Sequence, residues 1–177
     1  MRILISPLLW IWVLAGCAVG RRHAPDATLE KVFFEHEAEF ESLRAELQSD
    51  PKLMMIGPKD VMYGGALLEV SPNDSTNLAS VGLTQSVLTN YQRKIRELGL
   101  RGGVFKSDRD IEFRVEPGGI LNGDSYKGYQ FMVSTPNHIR SSLDDYRISD
   151  SDRDRSGNWS VYKHLKGHWY LYLFVSR

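Results

Sequence analysis

The chain has 177 residues, with 22 basic and 22 acidic side chains and a 42% share of hydrophobic residues. That length fits one domain plus a targeting segment, and the ordinary balance of apolar and charged residues excludes a wholly disordered chain. Because there is no excess of Lys and Arg to neutralise phosphates, the composition also argues against a nucleic-acid partner.

The first sixteen residues predict a secretory signal. Met1-Arg2 gives a positive start, and residues 3–15 are apolar apart from Ser6 and Pro7. Thirteen residues in a helix span only about 20 Å, which is short of the roughly 30 Å hydrocarbon core of a bilayer. A short apolar run that ends in small residues is typical of a signal peptide, so we expect residues 1–16 to be removed.

Cys17 is the single cysteine of the chain, and it directly follows Leu14-Ala15-Gly16. This segment resembles the lipobox of bacterial lipoproteins. The resemblance implies that the Cys17 sulfur carries a diacylglyceryl group and that Cys17 becomes the first residue of the mature protein. Two or three acyl chains anchor a protein stably, at about 0.8 kcal/mol per buried methylene. With Ala18 rather than Asp after the cysteine, the resemblance implies delivery to the outer membrane, facing the periplasm.

The lipidated cysteine leaves the mature chain without a free thiol, which excludes disulfides and thiol catalysis. We expect residues 17–27 to form a lipidated tether and residues 28–177 to form one domain. The tether contains Arg21 and Arg22, which either contact anionic headgroups or lie in a solvated linker.

The elements of the first half are two helices and short strands. Helical spacing of apolar residues from Leu29 to Leu47 predicts a helix over residues 28–48, with glutamates on its other face. Residues 53–56 and 66–70 are expected to be strands. A second helix is predicted over residues 83–98, with Gly99 as its C-terminal cap.

The second half is mainly β. Residues 109–116 alternate apolar and polar, and a further strand is predicted over residues 126–134. A short helix is expected over residues 136–146, started by Asn137, followed by a polar loop over residues 147–158. The chain closes with a hairpin of residues 159–165 and 168–175. This order predicts an α+β fold with a mostly antiparallel sheet and two main helices packed on one face.

No pattern indicates a catalytic or metal centre. Asp150, Asp152 and Asp154 before Gly157 resemble a calcium loop, but intervening arginines neutralise them and the glycine comes too late. His164 and His168 flank the hairpin turn without a third ligand. Nucleophile elbows, phosphate loops and zinc-protease motifs are missing from the sequence. We therefore expect no metal, no cofactor and no enzymatic activity.

Aromatic residues crowd the last nineteen positions, and they are the candidate binding residues. Such side chains fill cores and also make contacts with partners. We expect most of them in the core and one face of the strand left for a partner. The candidates for that face are Trp159, Trp169, Tyr170 and Tyr172.

Three segments carry a second resemblance: KGYQF (127–131), SLDDYRI (142–148) and VYKHLKGHWYLYLF (161–174). They are similar to segments of small bacterial lipoproteins of unknown function, and the likeness covers residues 83–175. This resemblance implies no activity, and no functional residue other than Cys17 is transferred.

Together these features predict a non-enzymatic, lipid-anchored periplasmic binding module. Its expected partners are the membrane, through the lipid on Cys17, and an envelope protein. Two alternatives remain: an immunity or inhibitor lipoprotein that meets an envelope-targeting toxin through the acidic helix, or an envelope hydrolase of glycan or lipid. The hydrolase would need two carboxylates in a cleft lined by Trp159 or Trp169.

Overall fold

The computed structural model describes residues 23–70, 76–116, 125–144, 146 and 158–175. Its elements are α1 (Asp26–Glu35), α2 (Glu37–Ser49), β1 (Leu53–Ile56), β2 (Asp60–Tyr63), β3 (Ala66–Glu69), α3 (Thr76–Val81), α4 (Gln85–Glu97), β4 (Gly103–Lys106), β5 (Asp110–Arg114), β6 (Ser125–Met132), β7 (Trp159–Lys166) and β8 (Trp169–Val175). The strands form one sheet in the order β3-β2-β1-β4-β5-β6-β8-β7, and each pair of neighbours is antiparallel. The predicted α+β class is confirmed.

The helix predicted over residues 28–48 is two helices that meet at His36. The His36 N–H donates to the carbonyls of Val32, at 3.1 Å, and Phe33, at 3.3 Å, and α2 begins at the next residue. The break changes the path of the backbone but keeps both halves on one core. The rings of Phe33 and Phe40 lie 5.3 Å and 5.8 Å from that of Trp169.

The core lies where α1 and α2 meet the centre of the sheet. Phe33, Phe40, Phe113 and Tyr129 are fully buried there, and their rings contact one another and Trp169. Burying each such side chain contributes about 1.5–3 kcal/mol. The Tyr129 hydroxyl is satisfied as well, because it donates to the Leu29 carbonyl at 3.0 Å.

Helix α4 matches its prediction closely. The Thr84 hydroxyl accepts a hydrogen bond from the Val87 N–H, which caps the N-terminus. Gly99 takes a φ of 69° after the last turn, the conformation that a glycine cap supplies. Leu88, Tyr91 and Ile95 form its buried stripe.

The short helix predicted over residues 136–146 is wrong. His138 has a φ of 61°, which ends any right-handed helix there. The segment instead runs beside the edge strand β7. The Arg140 N–H donates to the Tyr162 carbonyl at 2.7 Å, and the Tyr162 N–H donates to the His138 carbonyl at 3.2 Å. Pairing with an open sheet edge replaces the hydrogen bonds that a helix would have made.

Strands β1, β3, β5 and β6 and the β7–β8 hairpin agree with the predicted strands to within one or two residues. Strands β2 and β4 were not predicted, nor was the short helix α3. Most of the predicted polar loop, with Asp150, Asp152 and Asp154, lies outside the described residues. In the part of the chain that the structure describes, no helix has the length and apolar character needed to cross a bilayer.

Candidate binding surfaces

Trp169 belongs to the core and not to a binding surface. The pairing of β8 with β6 and β7 sets Trp169, Leu171, Leu173 and Val175 on the sheet face that meets α1 and α2. Trp169 is only 3% exposed, and its indole N–H donates to Glu41 Oε1 at 2.6 Å. Most of its apolar surface packs inside the fold, which leaves little of it for the partner contact that the sequence analysis expected.

Tyr170 and Tyr172 lie on the opposite face of the sheet, yet they are only 5% and 1% exposed. The Tyr172 ring covers Gly128 of the neighbouring strand and meets the Tyr126 ring edge-on at 5.9 Å between ring centroids. Burial raises the pKa of the Tyr172 hydroxyl well above its usual range. These two candidates are also structural, because their neighbours on the sheet already occupy the rings.

Trp159 is half-buried at the start of β7, on the same side as the core residue Val161. Its indole N–H donates to the Tyr146 hydroxyl at 3.2 Å. The four aromatic candidates are therefore divided between two faces, and the structure does not gather them into one exposed patch.

The sheet face that carries Tyr170 and Tyr172 presents an arginine that the sequence analysis did not single out. We define the tyrosine face by its side chains: Phe105, Asp110, Glu112, Arg114, Tyr126, Tyr162, Tyr170, Tyr172 and Phe174. The Arg114 guanidinium lies 3.6 Å from the centroid of the Phe105 ring and 4.5 Å from that of Tyr126. A guanidinium stacked between rings is held in place at little further entropic cost, which is typical of interface anchors.

Glu112 holds the Arg114 guanidinium by hydrogen bonds. Arg114 Nε and Nη2 donate to Glu112 Oε2 at 3.0 Å and 2.8 Å. Burial alone would lower the pKa of Arg114, but the adjacent Glu112 carboxylate outweighs it and raises the pKa. The side chains of Arg114 and Glu112 remain 20% and 29% exposed, so both reach solvent. The sequence contains the pattern that groups Arg114 with Glu112, because the alternation of residues 109–116 places both side chains on the polar side of the strand.

Asp110 is the most perturbed carboxyl of the tyrosine face. Its Oδ1 atom is buried and has no hydrogen-bond partner among the described residues. Burial and the nearby charge of Glu112 raise the pKa of Asp110, against the opposing charge of Arg109. The Asp110 carboxyl therefore binds its proton more tightly than an exposed aspartate does.

The acidic helix predicted from the sequence is largely neutralised by cations from other elements. Glu30 is bonded to Lys163 at 2.5 Å, Glu37 to Lys166 at 2.6 Å, and Glu46 to Lys94. The charge run on the first two helices is therefore matched within the fold.

His23, which the sequence analysis placed in the tether, is bonded to the sheet. Its Nδ1 lies 2.5 Å from Glu116 Oε2 and its Nε2 lies 2.8 Å from Ser125 Oγ. The Ala24 N–H donates to Glu116 Oε1 at 3.0 Å. Burial opposes ionisation of Glu116, but these donors and the His23 ring outweigh it and lower its pKa. We call residues 23–26 the N-terminal strap, since they fasten the start of the chain to the ends of β5 and β6.

Lys127 lies behind the strap as a buried cation, only 1% exposed. Its Nζ donates to Asp26 Oδ1 at 2.8 Å, to Asp144 Oδ1 at 2.5 Å and to the Ala24 carbonyl at 3.2 Å. The second Asp26 oxygen accepts from the Leu143 N–H at 2.7 Å. This network fills all three donor positions of the ammonium group and has no room for a ligand, so it is structural.

The histidines of the hairpin do not form a metal site. His164 Nε2 donates to the Gly167 carbonyl at 3.1 Å, and His168 Nδ1 donates to the Met132 carbonyl at 2.9 Å. Within the described ranges, no group of three or more His, Cys, Asp or Glu side chains is arranged to hold a metal ion.

Comparisons with protein-family models, with curated proteins and with solved structures found no match to this chain.

Proposed function

We propose that this protein is a lipid-anchored periplasmic lipoprotein of the outer membrane that acts as a non-enzymatic binding module of the cell envelope. The observation that carries the proposal is Cys17, placed directly after Leu14-Ala15-Gly16 and a short apolar leader. The position of the domain relative to this cysteine supports it, because His23 is already fastened to the sheet. A lipid on Cys17 would hold the domain near the membrane, which raises the effective concentration of envelope partners.

The tyrosine face is the surface that we propose for an envelope protein partner. We further propose that the helices cover only the other face of the sheet. The contacts of Tyr129 with Leu29 and of Trp169 with Glu41 support this arrangement. The tyrosine face offers the Arg114 guanidinium among aromatic rings, and arginine and aromatic side chains are enriched at the centres of interfaces.

Site-directed photocrosslinking tests this proposal in cells that carry the full-length lipoprotein. A photoreactive phenylalanine analogue replaces Phe105, beside Arg114, or Phe34, which is 53% exposed on α1 and serves as the matched control. We expect a discrete protein adduct from position 105, reduced at least fivefold by Arg114→Gln and by Cys17→Ser, and none from position 34. Equal yields of adduct from both positions, or a yield from position 105 that Arg114→Gln does not change, would contradict the proposed surface.

Hydrolysis of an envelope glycan is a second candidate function, and the carboxyl pair of the tyrosine face favours it. Asp110 and Glu112 lie two residues apart on one strand face, and burial and the nearby charge of Glu112 raise the pKa of Asp110, as a general acid requires. Neither predicted tryptophan is on this face. Incubation of the protein with purified peptidoglycan tests this candidate: turnover that Asp110→Asn and Glu112→Gln both abolish would replace the binding module by an enzyme.

A further inference from the structure

The end of the sheet that holds the N-terminal strap also presents a pocket lined by two arginines. We call it the tether end. In the strand order, β4 lies beside β5, and β5 lies beside β6. The strap is bonded to Glu116, after β5, and to Ser125, which begins β6. The Gly102 N–H donates to the Arg114 carbonyl at 2.9 Å, so Arg101 enters β4 next to the strand end that holds His23.

The pocket has a volume of about 310 Å³ and lies where the C-terminal end of α4 meets the β1–β2 turn. Gly57, Pro58, Ile95 and Leu100 form its apolar part, and Arg96 and Arg101 also line it. Both arginines are exposed, and within the described residues neither has an ion-pair partner. Two other arginines of the domain do have ion-pair partners: Arg93 is paired with Glu97, and Arg114 with Glu112.

The pocket is basic, because two arginines and no carboxylate are among the residues that line it. Lys59 follows the β1–β2 turn and is exposed like the two pocket arginines. Carboxylates near this pocket are Asp60, which folds against Gly57, Glu69 beside it on β3, Glu97 at the end of α4, which Arg93 engages, and Glu116, which His23 engages. Arg21 and Arg22 of the tether add two positive charges immediately before His23.

The length of chain between the anchor and the strap determines what this end can meet. From Cys17 to His23 the backbone spans at most about 20 Å. If Cys17 carries the lipid, the tether end is the part of the domain that is held closest to the bilayer. Anionic phospholipid headgroups attract basic groups within about one Debye length of the surface, which is about 8 Å at physiological salt.

We propose that the tether end docks onto the anionic phospholipid bilayer that carries the anchor, with a phosphate-bearing headgroup between Arg96 and Arg101. This inference rests on the lipid anchor proposed above. Docking gives the domain a fixed orientation, in which the β4–β5 turn at the other end of β4 points away from the membrane. Guanidinium groups bind phosphate oxygens in pairs, and the apolar part of the pocket accepts the glycerol backbone of the lipid.

Fluorescence quenching in vesicles tests the orientation with the full-length lipidated protein. Because the only native cysteine carries the lipid, a thiol dye reports a single introduced site, either Pro58→Cys at the tether end or Asp108→Cys in the β4–β5 turn. The vesicles contain phosphatidylglycerol and a lipid with a quencher on its headgroup. We expect at least threefold stronger quenching at position 58 than at position 108.

The charge dependence of that contrast is the decisive comparison. The double substitution Arg96→Gln and Arg101→Gln is expected to remove at least half of the difference in quenching between positions 58 and 108. We expect the same loss in 0.5 M salt, where the Debye length is about 4 Å, and in purely zwitterionic vesicles. The matched control is Lys52→Gln with Arg109→Gln, which removes the same charge from the opposite end and should change nothing. Two results would overturn the docking alone, provided that the protein still binds vesicles. One is equal quenching at positions 58 and 108, and the other is a difference in quenching that the Arg96 and Arg101 substitutions leave unchanged. A protein that does not bind vesicles at all would overturn the anchor and the docking together.

Discussion

Lys127 shows how one buried charge can be stabilising only as part of a complete set of partners. The strand β6 carries it into the core, where Asp26, Asp144 and a backbone carbonyl receive its three donors. The attraction between such groups roughly offsets the cost of removing them from water, whereas removing one partner leaves the other buried and unpaired.

Lys127→Met is therefore expected to lower the free energy of unfolding by about 3 kcal/mol, because Asp26 loses its hydrogen-bonded cation and keeps only Lys163, 3.6 Å from its other oxygen. Urea denaturation followed by circular dichroism measures the change. The matched control is Lys31→Met, since Lys31 is 72% exposed in a surface pair with Glu35 and its loss should cost no more than about 0.5 kcal/mol. Equal effects of the two substitutions would contradict the buried network.

Acid should weaken the fold through the same region. Burial raises the pKa of Asp26, but the bonds from Lys127 and Leu143 and the nearby lysines outweigh it and lower the pKa below 3.8. Glu116 is likewise lowered below 4.5, chiefly by His23 and the Ala24 N–H acting against burial. A carboxyl with a depressed folded-state pKa stabilises the fold above its unfolded pKa and loses this contribution as the pH falls through the folded value.

The free energy of unfolding is thus expected to be steady from pH 7 to about pH 5 and to fall steadily below about pH 4. Glu116→Gln should reduce the acid-dependent part of the loss, whereas Glu35→Gln, at an exposed site, should leave it unchanged. Urea unfolding at a series of pH values measures both. A variant of Glu116 with the full acid dependence of the parent would show that the strap is not bonded as described.

Asp110→Asn is a further single-residue change, and it is expected to raise the free energy of unfolding. Because the Asp110 pKa is raised by burial and by Glu112, its charged form at pH 7 destabilises the fold. The substitution is expected to raise the free energy of unfolding by about 1 kcal/mol at pH 7 and by less at pH 4, because the lower pH favours the protonated form of Asp110. No gain at either pH would mean that Oδ1 is not buried without a partner.

At the scale of elements, Gly128 shows why β6 and β8 approach as they do. Gly128 lies inside β6, within the strand that the sequence predicted over residues 126–134. A Cβ atom at position 128 would lie 2.3 Å from the Phe113 carbonyl oxygen and 2.9 Å from Tyr172 Cε1. A glycine in a strand interior commonly marks such a close approach.

Gly128→Ala is expected to destabilise the protein by about 2–3 kcal/mol, because both neighbours must move. Gly167→Asn serves as the control, since the hairpin glycine has a φ of 55° that asparagine tolerates and open space around it. Thermal unfolding should show a marked loss for the first variant and a small one for the second. Two similar melting temperatures would refute the tight packing of Tyr172 over β6.

Elements with a clear apolar pattern could be predicted from the sequence, whereas β2, β4 and α3 could not. Residues 83–98 carry a clear stripe and a glycine cap, so α4 was found within two residues of its ends. Strands β2 and β4 have four residues each, and their pairing with β1, not their own alternation, defines them. Residues 136–146 have helix-like local signals, but the open edge of β7 offers hydrogen bonds that no local pattern records.

At the scale of the whole molecule, the fold class followed from the order of elements, whereas the binding surface did not. Crowded aromatic residues were expected to leave one exposed face, but Trp169 and Tyr172 are buried on opposite sides of the sheet. The sequence could not show that Arg114 stacks on Phe105 and Tyr126, because those residues come from three strands. Likewise, the sites that fasten His23 lie 93 and 102 residues away along the chain.

The account of this protein as a membrane-held module depends on Cys17. Mass spectrometry of the protein isolated from bacterial membranes is the most direct test, with Cys17→Ser as the control. We expect a mature chain that begins at residue 17 and carries a diacylglyceryl thioether there, and a Cys17→Ser protein that keeps its leader. An unmodified thiol at Cys17, or cleavage at another position, would contradict the account.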